Sequence, residues 1–77
     1  MTDKDKEVIL ALANFNMDVA KTSRAIYAHY NTIRYHVRRI KEETGLNPMN
    51  FYDLHKLVGI ARSSLWRTGG MVNDNFI

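Results

Sequence analysis

The thirteen residues from His29 to Lys41, HYNTIRYHVRRIK, carry Arg34, Arg38, Arg39 and Lys41 and no acidic side chain. Within them Ile33, Val37 and Ile40 recur at the i, i+4, i+7 spacing of a helix with one buried face. At about 100° per residue this aliphatic stripe occupies one side, and Asn31, Arg34, Tyr35 and Arg38 fan across the other. Such a helix must be packed on its dry flank by neighbours, and its arginines must stay in water. That requirement shapes the rest of the reading.

With 77 residues the chain is one small domain. A domain of this size buries only about 60% of the surface that its unfolded chain exposes, so its stability is modest. The net charge is +3, and its distribution says more than its size. Residues 1–28 hold four acids and four bases, whereas His29 to Lys41 contributes +4. The segment from Glu42 to Arg62 sums to −1, and Arg67 balances Asp74. The whole excess lies in one helix-like segment, the footprint of polyanion binding. Solvated charged faces are commoner, but they usually mix signs, and this one does not.

Helical spacing recurs along the chain. Thr2 and Asp5 have the spacing of a capping box, and a first helix is expected from Asp3 to Asn14, with Val8, Ile9, Leu12 and Phe15 inward. Asp18 caps a second, whose inward face is Val19, Thr22, Ser23 and Ile26. Ser23 is small enough for a close crossing, and its hydroxyl can bond the carbonyl four residues back. Tyr27, Ala28 and His29 leave room only for a tight turn. The third helix begins at Tyr30 or Asn31 and runs to Thr44, where Gly45 caps it and Leu46 clasps it. Asn47-Pro48 ends that segment.

Asn50 and Asp53 cap a fourth helix from Phe51 to about Leu65, with Phe51, Leu54, Leu57, Val58, Ala61 and Leu65 in its apolar stripe. Gly59 inside it marks a close helix contact at a cost of roughly 1 kcal/mol in helix stability. The domain is placed at residues 1–66, and the aperiodic residues 67–77 form a flexible tail. The fold class is all-α, with four helices and no strand.

Two short helices joined by a three-residue turn, the second cationic on its outer face, follow the plan of a helix-turn-helix. An eight-residue first member spans about 12 Å, enough to lie across a phosphate backbone and brace its partner in the major groove. Helices one and four wall the core. Arg34 suits bidentate pairing with guanine, and Arg38, Arg39 and Lys41 suit phosphates. Asn31 fits two roles equally, adenine reading or N-capping, and Thr32 shares the ambiguity. Tyr35 lies far from the Ile33 stripe and can donate to a phosphate or pack on a thymine methyl.

The string from Ala25 to Val37, AIYAHYNTIRYHV, followed by Thr44-Gly45-Leu46-Asn47-Pro48, resembles the C-terminal helix-turn-helix domain of PucR-type bacterial regulators. That group includes the sugar-diacid regulators, and its fold is similar to the Fis-type DNA-binding domain. The resemblance extends from about Val8 to Arg62. By position it implies that His29, Asn31, Thr32, Arg34 and Tyr35 open the recognition helix and that Arg38 continues its outward face. Tyr30, within the same interface, stands where the family most often has Arg, which removes one contact. Ser23 replaces the usual Ala, a small-for-small change. Family members carry this domain behind a long sensory region. Here, Met1 and a C-terminus unlike a tag favour a free-standing small regulator, of the phage or mobile-element kind, over an excised domain.

The expected function is therefore sequence-specific DNA-binding transcriptional regulation, with double-stranded DNA as partner. A homodimer on a palindromic site is expected, with Leu57, Ile60, Leu65 and Trp66 of the fourth helix as candidate contacts. The rival is a protein-interaction module that docks an acidic partner on the basic helix and anchors it with Trp66. No membrane role is expected, because no apolar run reaches the ~18 residues of a span and the third helix lacks an apolar membrane face. The N-terminus has no signal-peptide core, which favours a cytoplasmic protein. The chain has no cysteine, and His29, His36 and His55 lack ligand spacing, so no metal or other cofactor is expected. Glu42 and Glu43 are adjacent and cannot face one another, and no nucleophile elbow or phosphate loop occurs. Catalysis is not expected.

Overall fold

The computed structural model describes residues 1–69, with side chains to Ser63. Four helices follow one another in it: α1 (Asp3–Asn14), α2 (Val19–Ala25), α3 (Tyr30–Thr44) and α4 (Phe51–Gly69). No strand occurs among the described residues.

Three of the four helices start where a side chain satisfies amides that the helix cannot. At α1 the capping box forms in both directions: Asp5 N–H donates to Thr2 Oγ1 at 3.1 Å, and Thr2 N–H to Asp5 Oδ2 at 3.0 Å. Asp18 caps α2 by accepting from Lys21 N–H at 3.0 Å. Asn50 accepts from Asp53 N–H at 3.1 Å, and Asp53 reaches back to Asn47 N–H at 3.0 Å, so the pair expected at α4 is present. The α3 N-cap is His29, and it makes no side-chain capping bond. Asn31 therefore lies inside the first turn, which removes the capping role from the two roles open to it.

Two connections need backbone that L-residues adopt reluctantly. Asn16 and Met17 are consecutive left-handed residues between α1 and α2, at φ 55° and 64°. Tyr27, at φ 56°, turns the chain from α2 into α3 with its side chain almost wholly in solvent. Ala28 N–H then donates to Ser23 carbonyl at 2.9 Å, closing that turn. Gly45 ends α3 at φ 78°, and Leu46 packs against the core beyond it, as the cap requires.

The core joins Val8, Ile9 and Leu12 of α1 to Ile33 and Ile40 of α3 and to Leu54, Leu57 and Ala61 of α4. The α1 backbone packs against all three other helices and α2 packs on α3; among the described residues the α4 backbone lies against α1 and shares the core with α3 through side chains. Because α4 reaches the core across α1, it does not cover the outer flank of α3.

Several boundaries and faces differ from those expected. α2 is one residue shorter than the eight expected, because Ile26 already caps it. Ser23 is buried as expected, but its hydroxyl donates to the Ala20 carbonyl, three residues back, at 2.8 Å. α4 continues to Gly69 rather than ending near Leu65. The flexible tail expected from residue 67 lies, from residue 70 on, outside the described residues. Phe51, the first residue of α4, is 64% exposed and lines an open hollow with Ala13, Asn16 and Met17.

Gly59 does not mark a close contact. It is exposed, and a Cβ built there meets nothing within 4 Å. Gly59→Ala is accordingly expected to stabilise the domain by about 0.8 kcal/mol, from helix propensity and reduced unfolded-state freedom. A urea melt checks this, and unchanged or lower stability would show that Gly59 has a packing role.

Candidate nucleic-acid interface

α3 is long enough to be read as two flanks. Its inner flank is anchored by Ile33 and Ile40, both with no exposed surface, and Val37 packs half-buried beside them. On the outer flank, His29, Tyr30, Asn31, Arg34, Tyr35, Arg38 and Lys41 are all exposed, and Thr32 is half-buried. The orientation follows from the 3.6-residue period alone: an aliphatic stripe that sinks into the core turns the opposite side to water.

The cations on this flank are not equivalent. Arg34, Arg38 and Lys41 line a hollow of about 410 Å³ together with Asn47 and Met49 from the α3–α4 connection and Val19 from α2. No acidic group pairs with any of the three among the described residues. Three adjacent guanidinium and ammonium groups without a counter-charge repel one another, and an external anion relieves that repulsion.

Arg39 differs. It was expected on a phosphate with Arg38 and Lys41, but it sits about a third exposed on the flank facing α1, where its Nη2 lies 3.4 Å from Asp5 Oδ2. Its Nε is buried with no hydrogen-bond partner among the described residues. A hydrogen bond to Tyr35, together with the Asp5 charge, favours its protonated form above the ordinary guanidinium range.

Asp5 is the hub of this arrangement and is completely buried. Its Oδ1 accepts from His36 Nδ1 at 2.6 Å, and its Oδ2 accepts from Thr2 N–H and from Arg39. Burial pushes its carboxyl pKa up, but the hydrogen bonds from His36 and Thr2 and the charge of Arg39 outweigh that and hold it below 3.8. His36 is a partner of this carboxylate, and its ring meets Tyr35 edge-on at 5.3 Å.

Asp5 and His36 on the α1 side, and Asn47 and Met49 at the hollow, take places around α3 that the sequence pattern alone did not disclose. The capping box disclosed that Asp5 faces the start of α1. Nothing local could disclose its partners, which lie 31 and 34 residues away.

Of the fourth-helix residues expected at a dimer contact, Leu57 is excluded. It has no exposed surface and belongs to the core. Ile60 is about half exposed, and the side chains of Leu65 and Trp66 lie outside the described residues. No helix of the described residues is long and apolar enough to cross a membrane.

Among curated proteins and among solved structures, none matches the chain significantly. The PucR C-terminal helix-turn-helix domain matches residues 6–58, from the second turn of α1 through the first half of α4. That span includes every core residue named above but Ala61, the α2–turn–α3 unit and every outward residue of α3. Helix-turn-helix families of this kind are typically non-enzymatic, and their membership points to a DNA-binding regulatory role. The fold, the residues it turns outward and the extent of the match agree, and the chain belongs to the PucR C-terminal helix-turn-helix family.

Proposed function

We propose that the protein is a sequence-specific DNA-binding transcriptional regulator that inserts α3 into the major groove. The observation that carries this reading is the line Arg34, Arg38 and Lys41, without an acidic partner among the described residues, on the open flank of a helix anchored by Ile33 and Ile40. Arg34, nearest the N-terminal end of that line, reads guanine through its fork, and Arg38 and Lys41 neutralise phosphates. Asn31 reads adenine N6 and N7 from the first turn, with Thr32 beside it. His29, Tyr30 and Tyr35 border the groove and donate to the backbone. Arg39, already held by Asp5, stands apart from this set.

The uncapped start of α3 supports the same reading, because amides left free by His29 can face a phosphate. α2 makes no such offer, since it has seven residues and Asp18 takes up its Lys21 amide. Its role is to brace α3.

One recognition helix contacts too few base pairs for genomic specificity, so a cytoplasmic homodimer on a palindromic site fits best. Half-sites then lie about 34 Å apart. Ile60, with Leu65 and Trp66 further along α4, remains the candidate contact.

Selection of bound duplexes from a random pool tests this function. A palindromic winner is expected, and with Arg38 and Lys41 of both copies on phosphates log K falls against log salt with a slope of about −4. Arg34→Ala should weaken the selected site by about 1–3 kcal/mol and barely affect random duplex. Lys41→Ala should weaken all sequences alike and reduce the slope by about one for each copy bound. Failure to bind any duplex at low salt overturns the reading and favours a module that docks an acidic protein.

A further inference from the structure

On the reading that α3 contacts DNA, we infer that Asp5 is a positioning residue of the recognition helix, withholding Arg39 from the phosphates so that Arg34, Arg38 and Lys41 alone form the contact line. Three observations converge on it. The carboxylate is wholly buried at the start of α1, yet it points across to α3 and bonds both His36 and Arg39. The Nε of Arg39 is enclosed in protein, so the guanidinium is not free to swing out as a whole. By contrast, Arg34, Arg38 and Lys41 are exposed and have no acid to hold them among the described residues.

The chain therefore carries four cations on α3 but presents three. The difference matters because each neutralised phosphate strengthens binding to every sequence equally. Withholding one cation lowers affinity for random and selected DNA alike, so that base contacts supply a larger share of the binding. The same clamp fixes the rotation of α3 about its axis. His36 and Arg39 are one turn apart on the flank that α1 covers, so holding both sets the direction in which Arg34 and Arg38 project.

Salt dependence on random duplex tests the clamp separately from stability. Asp5→Asn keeps the shape of the side chain and one oxygen that can accept from Thr2, places its NH2 toward His36, and removes the charge that holds Arg39. The freed guanidinium should then reach a phosphate, steepening the slope of log K against log salt by about 0.9. Between 50 and 200 mM salt the variant should lose about threefold more affinity than the wild type. Arg39→Gln should leave the wild-type slope unchanged.

Together the two variants separate the clamp from a general effect of net charge. A general effect would steepen the slope in the first and flatten it in the second. An unchanged slope in folded Asp5→Asn, or one shallower by about 0.9 in Arg39→Gln, overturns the inference. If Asp5→Asn does not fold, Arg39→Gln decides alone by the same criterion. A wild type that binds no duplex overturns the DNA reading itself, an outcome recognisable before any variant is made.

Discussion

Asp5→Ala lowers the unfolding free energy by about 3 kcal/mol at neutral pH, through the loss of a capping box and of charge-assisted hydrogen bonds. Three groups lose their acceptor together: Thr2 N–H, His36 Nδ1 and the Arg39 guanidinium. The figure stays well below the most expensive buried pairs because Arg39 is about a third exposed, and water takes up part of its loss. The Thr2 amide lies near the surface and is likewise partly rehydrated. The remaining cost falls mainly on His36, which is nearly enclosed.

The same residue gives the domain an acid-sensitive element. The folded carboxyl titrates below the 3.8 of the unfolded chain, so in acid the unfolded state binds more protons than the folded one. Its contribution is complete above 3.8 and is lost as the pH falls through the lower folded value. The stability gap between the wild type and Asp5→Ala should therefore be widest at neutral pH and close below 3.8. Urea melts at a series of pH values measure it. A gap of constant width would mean that the Asp5 charge contributes nothing, and a variant as stable as the wild type at neutral pH would dismiss the clamp as a structural element.

The second large effect belongs to Leu57. Leu57→Ala is expected to cost about 3–4 kcal/mol, because it removes buried methyl groups between α1 and α4 and leaves a cavity that the core cannot fully close. A 77-residue domain is stable by only about 4–11 kcal/mol, so the variant loses a large part of the total. In contrast, Ile60→Ala should change monomer stability by less than about 0.5 kcal/mol, since its side chain stands half in solvent.

Protein concentration distinguishes a core role for Leu57 from the dimer contact that its place in the heptad-like stripe suggests. A core residue lowers the midpoint equally at every concentration, whereas an interface residue has an effect that depends on concentration. A concentration-dependent loss for Leu57→Ala would return it to the interface.

The sequence by itself determined the four helices and the two-sided character of the third. Capping residues and periodicity are local signals, and they act within three or four positions of where they are written. Thr2 with Asp5, Asp18, Asn50 with Asp53, and Gly45 each mark an end that the structure keeps. The aliphatic spacing of Ile33 and Ile40 likewise turned the arginines outward before any neighbour was known.

Only the tertiary structure decided which of those arginines is free. Arg38 and Arg39 are adjacent in the chain, yet one looks into the hollow beside Met49 and the other into the carboxylate of Asp5. The choice depends on where α1 crosses α3, a relation between residues 34 positions apart that no helical period encodes. Packing also separated Leu57 from Ile60, three residues apart on one helix, by setting α4 against α1 so that one side chain is enclosed and the other is left in water.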